Sequence, residues 1–268
     1  MKTFLTLTLL FLTIHLAKSQ NQSQGVIYYD HVDNHYGVVY NAYLAFDKSK
    51  SHFVTAKHSL GMSGTNKGET SNDNAVVEVA DFQNIEKTWE KGLEVFFNSQ
   101  TSTMYFSNAF SLVSPTLYVV ESVPNFKWTF EKEQKTIGKF LCKKATTEFR
   151  GRTYICWYTE EIPLPYGPWK LQGLPGLILE AETKDGFFAA KFKQIKYPDS
   201  SIHLPKNEEE MISGKAKFIS LNDYIKEQRT EIETTDNRLK VTAQKFNVRV
   251  QPFSERDNFL EIFGKGDN

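Results

Sequence analysis

Two histidines with helical spacing form the candidate metal site of this sequence. His31 and His35 are four residues apart, and Asp30 and Asp33 lie beside them. Imidazole nitrogens and carboxylate oxygens together suit zinc or copper. The spacing fits a helical turn, whereas the surrounding residues alternate as strands do, so solvated histidines in a loop are the alternative. A Zn/Cu-binding protein is therefore the second hypothesis for the function.

The two cysteines lie on the two arms of one predicted hairpin. A loop of odd length puts Cys142 and Cys156 on the same face of the sheet. A loop centred on Phe149 places them directly opposite, and a three-residue loop ending in Gly151 places them diagonally. Diagonal positions are about 7–8 Å apart, which is too far for an unstrained disulfide. Both a disulfide and two free thiols are compatible with the sequence.

Patterns that indicate catalysis are missing from the sequence. Glu160 and Glu161 are adjacent, and adjacent strand residues point to opposite faces, so these carboxylates cannot converge on one substrate bond. No Gly-x-Ser-x-Gly nucleophile elbow and no Gly-Lys-Ser/Thr phosphate loop is present. We predict no catalytic residue and no cofactor, and a hydrolase is the third hypothesis.

Composition describes the kind of scaffold that must hold these residues. The chain has 268 residues, 40% of them hydrophobic and 14% aromatic, with 32 basic and 32 acidic side chains. Such a chain is neither disordered nor a disulfide-rich scaffold. A net charge of zero supplies no overall field that would attract nucleic acid or an anionic membrane surface.

The N-terminus has the pattern of a secretory signal peptide. Lys2 precedes an apolar run at residues 3–16, and Ala17-Lys18-Ser19 fits the small-x-small cleavage rule. The run is too short to span a membrane as a retained anchor. We expect residues 1–19 to be removed, residues 20–268 to form a single β-rich domain, and no transmembrane segment to remain.

Alternation of apolar and polar residues predicts strands from residue 25 to about residue 195. The clearest hairpins pair 137–147 with 152–159, and 177–183 with 187–195. Ser220, with Asp223 three residues on, predicts the start of a helix that runs to about Lys240, with a possible break near Thr234. We predict a mainly β protein: a strongly curved antiparallel sheet or open barrel with a C-terminal helical segment.

One stretch of the chain resembles a known family. The stretch contains CKKATT from Cys142, the pair Gly151-Arg152, WYTEEIP from Trp157, GPWK from Gly167, and GLPGLILE from Gly173. These blocks resemble the GLPGLI family, which consists of secreted proteins of Gram-negative bacteria. The resemblance implies a β protein that is periplasmic, or secreted to the cell surface, and brings no activity with it. At the level of the fold, the strand-rich chain is also loosely similar to periplasmic lipoprotein carriers of the LolA kind.

The Pro/Gly-rich blocks predict a tight turn. Pro175 presets φ for the second position of a type II turn, and Gly176 supplies the positive φ that the third position requires. Prolines upstream cannot donate to a central strand, so residues 162–168 are expected to run extended along an edge. Two interpretations remain: a rigid crossover with Trp169 and Leu174 in the core, or an exposed docking surface.

We therefore favour a non-enzymatic envelope protein that binds an apolar ligand or a protein partner. The expected contact region is the concavity of the sheet and its Pro/Gly-rich edge. The candidate binding residues are Trp157, Trp169, Leu174, Pro175 and Gly176.

Overall fold

Twelve strands dominate the computed structural model, which describes residues 23–33, 38–56, 91–108, 115–212, 216–251 and 253–264. The predicted signal peptide, residues 1–19, lies outside the described residues. The strands are β1 (Gly25–Asp33), β2 (Val38–Phe46), β3 (Lys50–Ala56), β4 (Lys91–Asn98), β5 (Thr103–Asn108), β6 (Leu117–Ser122), β7 (Thr129–Ile137), β8 (Phe140–Phe149), β9 (Arg152–Thr159), β10 (Leu177–Thr183), β11 (Phe188–Lys196) and β12 (Phe218–Ser220).

All twelve strands belong to one sheet. Its order is β12-β6-β5-β4-β3-β2-β1-β11-β10-β9-β8-β7. Strands β1 to β6 and β7 to β11 form two antiparallel meanders that meet where β1 pairs with β11, and β12 lies parallel to β6. The prediction of a mainly β, antiparallel fold is confirmed, and both predicted hairpins are present.

Contacts in the interior show that the sheet curls strongly. The rings of Tyr154 on β9 and Trp169 stack at 5.7 Å, while the neighbouring Lys170 lies over the ring of Phe106 on β5 at 3.2 Å. Strands β5 and β9 are seven positions apart in the sheet order, or about 34 Å in a flat sheet. Two adjacent residues can reach both strands only if the sheet wraps around them, so the predicted curvature is confirmed.

Residues 162–176, the crossover between β9 and β10, fill the inside of this open barrel. The amide of Ile178 donates to the carbonyl oxygen of Tyr166 at 2.9 Å, and the Tyr29 hydroxyl donates to the carbonyl oxygen of Ile178 at 2.7 Å. The expectation that residues 162–168 follow an edge of the sheet is wrong. The prolines do lack amide donors, but the alternating apolar side chains between them are buried: Ile162, Leu164 and Tyr166.

The C-terminal helix α1 spans Leu221–Phe246. As predicted, Ser220 is its N-cap, and its hydroxyl accepts from the amide of Asp223 at 3.1 Å. The helix runs six residues past the predicted end and is continuous through Thr234. A short helix α2 follows at Glu255–Asn258. Within the described ranges, the structure has no helix both long and apolar enough to cross a membrane.

Candidate functional site

Four charged side chains meet inside the open barrel and form what we call the buried ion cluster: Arg150, Lys170, Glu121 and Glu261. The ammonium of Lys170 lies 2.6 Å from an oxygen of Glu121 and 2.8 Å from an oxygen of Glu261. The guanidinium of Arg150 also contacts both carboxylates, each at 2.5 Å. Every charge in the cluster therefore has two opposite neighbours.

Distant elements supply the members of the cluster. Glu121 is on β6, Arg150 is in the turn between β8 and β9, Lys170 is in the crossover, and Glu261 follows α2. Strands β6 and β9 are eight positions apart, or about 38 Å in a flat sheet. The cluster thus joins the two ends of the curled sheet across its opening.

Burial and charge determine the protonation of the cluster. Lys170 is 1% exposed, and Glu121 and Glu261 are each 5% exposed. Burial alone would raise the pKa of Glu121, but the charges of Lys170 and Arg150 outweigh it, and the pKa ends below its ordinary value. Burial likewise acts to lower the pKa of Arg150, and the two carboxylates outweigh it and raise that pKa. Two cations and two anions thus neutralise one another, so no charge of the cluster is buried without an opposite partner.

The neighbouring arginine fixes the C-terminal segment. Arg152 is 2% exposed, and its guanidinium donates to the carbonyl oxygens of Leu260 and Phe259 at 3.0 and 2.7 Å. The amide of Ile262 donates to the carbonyl oxygen of Arg150 at 3.1 Å. Residues 259–262 are therefore held against the β8–β9 turn, which brings Glu261 into the cluster.

The predicted binding residues of the crossover are mostly buried. Trp169 and Leu174 are 4% and 1% exposed and belong to the hydrophobic core, whereas Pro175 is exposed. This placement agrees with the rigid-crossover interpretation. Binding through these residues stays a prediction, and Trp169 and Leu174 do not present their side chains to a partner at the surface.

The geometry predicted around Gly176 is wrong. The positive φ angles of this region are at Trp169, 56°, and Gly173, 89°, and not at Gly176. The amide of Leu177 donates across the crossover to the carbonyl oxygen of Ile162 at 3.0 Å. Glycine is needed at 176 for space, because a Cβ there would lie 2.0 Å from the carbonyl oxygen of Thr159.

Trp157 lies on β9 between two buried residues and is half-buried. Because strand residues alternate, its ring is on the face opposite the interior. The ammonium of Lys135 lies 4.4 Å from the ring centroid and also pairs with Glu180 at 2.6 Å. Trp157 therefore does not share a surface with Trp169 or Leu174.

The cysteine pair is explained by a turn of even length. Arg150 and Gly151 both have positive φ, 46° and 74°, as a two-residue hairpin loop requires. Cys156 consequently pairs with Ala145. Cys142 lies three residues before Ala145 on β8, so the two cysteines are not opposite each other. The two predicted alignments are therefore wrong. Both cysteines are buried, free thiols in this structure, and a disulfide between them stays a prediction. Burial raises the pKa of the Cys142 thiol to about 11, which makes it unreactive at neutral pH.

The histidine hypothesis is only partly covered by the structure. His31 is on β1, and its ring centroid lies 5.2 Å from that of Phe188. His35 lies outside the described residues. Within the described ranges, no group of three or more His, Cys, Asp or Glu side chains could hold a metal ion. A site that uses His35 stays a prediction.

Exposed apolar side chains concentrate at one place on the described surface. The large hydrophobic residues exposed by more than a third include four within ten residues at the end of α1: Val241, Phe246, Val248 and Val250. The other three are dispersed over the sheet: Val39, Phe130 and Leu141. Sequence reasoning missed this cluster because α1 was predicted to end near Lys240.

Sequence reasoning also missed the buried ion cluster. Arg150 and Lys170 lie in or next to the blocks that carry the family resemblance, so charges inside an apolar, Pro/Gly-rich stretch were an available signal. Glu121 follows Val119 and Val120, and Glu261 lies between Leu260 and Ile262, so a single acid in an apolar run was the signal available for each.

Comparison with known proteins supports the family resemblance. The family model described as "Protein of unknown function (Porph_ging)", which is the GLPGLI-family domain, matches residues 150–180. This stretch contains Arg150, Arg152, the crossover and most of β10. The resemblance stated from the sequence is thereby confirmed over those residues. No curated protein matches the chain.

The solved structures that match this chain share little sequence with it. PNGF-II, in two space groups, is 13% identical, with TM-scores of 0.49 and 0.45 over 76% and 74% of this chain. The matches cover 32% and 31% of PNGF-II, so this chain spans about a third of its length. An uncharacterized conserved protein from Thermus thermophilus is 7% identical, with a TM-score of 0.37 over 76% of this chain and 93% of that protein.

Proposed function

We propose that this chain, which matches the GLPGLI-family model over residues 150–180, is an exported, non-catalytic binding protein of a bacterial cell envelope. The contact surface that we assign to it is the α1 tip, defined as residues 237–251. This surface replaces the concavity of the sheet, because the buried side chains of residues 162–176 occupy the space that an apolar ligand would need.

The observation that carries the proposal is the exposure of the α1 tip. The last buried residue of α1 is Gln228, and the helix continues to Phe246, about 27 Å further along its axis. At the end of the helix Phe246 is 64% exposed, and just after it Val248 is 52% exposed. Clustered exposed apolar side chains are typical of interaction sites, since leaving them in water is unfavourable.

The interior of the protein supports binding rather than catalysis. The buried charges of the ion cluster neutralise one another, and the buried thiol of Cys142 has a raised pKa. The ion cluster therefore joins the two ends of the sheet, and the thiol stays protonated at neutral pH. The exposed helix end has no such structural task in the described chain.

Export rests on the N-terminal sequence. Expression of the full-length chain in a Gram-negative host, followed by periplasmic extraction and intact-mass measurement, tests it. We expect a mass that corresponds to cleavage after Ser19. A full-length mass, or protein found only in the cytoplasm, contradicts export.

Sedimentation with envelope fragments tests the contact surface. The purified wild-type protein is expected to sediment with membrane-containing envelope fragments, and Phe246→Ser is expected to abolish this. Phe130→Ser is the matched control, because Phe130 is 60% exposed but lies on β7. Equal binding of the two variants, or no binding by the wild type, overturns the proposal.

A further inference from the structure

We infer that the α1 tip docks onto the surface of an anionic lipid bilayer. This inference rests on the proposed function, because it names what the same surface contacts. Neither the family match nor the similar structures assign a ligand to this end of the chain.

Charge is strongly segregated along α1 and the segment that follows. Residues 221–236 contain five acidic and two basic side chains, whereas residues 237–251 contain no acid. The cations of the tip are Arg238, Lys240, Lys245 and Arg249. One of them, Lys240, pairs with Asp236 at 2.5 Å. The tip is therefore a cationic region on a chain that is neutral overall.

Apolar and basic side chains alternate within the tip. Val241 follows Lys240, Phe246 follows Lys245, and Arg249 separates Val248 from Val250. Helices that lie on membrane surfaces combine these two features: apolar side chains enter the headgroup boundary, and basic side chains remain among the anionic headgroups. The ammonium of Lys245 lies 5.5 Å from the Phe246 ring centroid, which places a cation beside the largest apolar group of the tip.

The backbone presents the tip as a projecting hairpin. Asn247 has the left-handed conformation, φ 51° and ψ 43°, and ends the helix. The chain then turns back, and the amide of Phe253 lies 3.5 Å from a carboxylate oxygen of Asp236. Residues 237–251 thus extend beyond Asp236 and return towards it, and Phe246 and Val248 flank the reversal at Asn247.

The helix dipole does not account for this pattern. Basic residues stabilise the C-terminal turn of a helix, which explains Lys245. The effect fades within one turn, and Arg249 lies outside the helix altogether. The dipole also gives no reason for exposed valine and phenylalanine at the same place.

Vesicle flotation tests the inference directly. Vesicles of phosphatidylethanolamine with about 30% phosphatidylglycerol serve as the anionic probe, and pure phosphatidylcholine vesicles serve as the neutral one. We expect binding to the anionic vesicles, weak or no binding to the neutral ones, and release at about 0.5 M NaCl, where surface charges are screened.

Variants then identify the surface. Lys245→Gln and Arg249→Gln are each expected to weaken binding about fivefold, and Phe246→Ser at least about tenfold. Phe130→Ser and Lys226→Gln are matched controls that should bind as the wild type does. Lys226 is also an exposed cation of α1, but it lies in the first turns of the helix, outside the tip. Unchanged helix content by circular dichroism confirms that each variant is folded.

The outcomes separate this inference from the proposed function. Equal binding to anionic and neutral vesicles, or unchanged binding by Phe246→Ser and Lys245→Gln, overturns the inference. Another outcome is that the protein fails to bind vesicles but still binds envelope fragments in a way that depends on Phe246. In that case the α1 tip contacts a protein of the envelope, and only the inference of lipid binding is wrong. If the protein binds neither vesicles nor envelope fragments, both the inference and the proposed contact surface are wrong.

Discussion

Removing Lys170 should reveal how much the buried ion cluster stabilises the fold. In Lys170→Met, the carboxylates of Glu121 and Glu261 stay buried, and Arg150 is the one cation among the described residues that still pairs with them. Methionine keeps the length and apolar stem of lysine, so the change removes charge with little loss of volume. Breaking a buried ion pair from one side costs about 3–5 kcal/mol, because it leaves an uncompensated charge. We expect the free energy of unfolding at pH 7 to fall by that amount.

The pH dependence of the loss provides a second test. The pKa of Glu121 is lowered in the folded protein from an ordinary value of 4.5. Its contribution to wild-type stability is therefore present above the unfolded pKa and is lost as pH falls through the folded pKa. In Lys170→Met, protonation removes the uncompensated charge, so the difference between variant and wild type should shrink from pH 7 to pH 4.

Urea unfolding followed by tryptophan fluorescence measures both effects. Lys143→Met is the matched control, because Lys143 contacts Glu160 at 2.7 Å, a similar distance, but both side chains are exposed. Its urea midpoint should stay at the wild-type value. A loss below about 1 kcal/mol for Lys170→Met at pH 7 would refute the reasoning, as that is the size of a solvated pair. A loss that is the same at both pH values would contradict the charge-based explanation.

Two further predictions concern the crossover and the cysteines. Gly176→Ala should destabilise the protein by at least about 2 kcal/mol or prevent soluble expression, because its Cβ would lie 2.0 Å from the carbonyl oxygen of Thr159. Gly173→Ala, where the nearest atom is 3.6 Å away and the strain is in φ, should cost only about 1 kcal/mol in the same urea assay. Neither Cys142 nor Cys156 should react with a thiol reagent at neutral pH in the native protein, and both should react in concentrated guanidinium; one reacting thiol before unfolding would contradict the burial of the pair.

Local pattern was enough to predict much of the scaffold. Alternation with period two identifies strands because side chains of a strand point alternately to the two faces, and the β8–β9 and β10–β11 hairpins follow from it. Ser220 identified the start of α1, since a hydroxyl there satisfies an otherwise unpartnered amide. The blocks from Cys142 to Glu180 carried the family resemblance, which the family model matches over residues 150–180.

Predictions that depended on details of the backbone were less successful. The Arg150-Gly151 turn has two residues, and one residue more or less decides which residues face each other across the hairpin. Pro175-Gly176 has the composition of a type II turn, but the glycine is required by the close approach of Thr159. Sequence composition does not distinguish a glycine needed for its φ from one needed for its missing side chain.

By itself the sequence determined a curved antiparallel sheet, its hairpins, the start of the helix and the family resemblance, because these depend on neighbours along the chain. The tertiary structure alone decided that the crossover fills the barrel, that Glu121 and Glu261 share Lys170 and Arg150, and that the end of α1 projects with its apolar side chains exposed. Glu121 and Glu261 are far apart in the chain and meet only because the sheet curls. Such pairing depends on the path of the whole backbone, which no local pattern encodes.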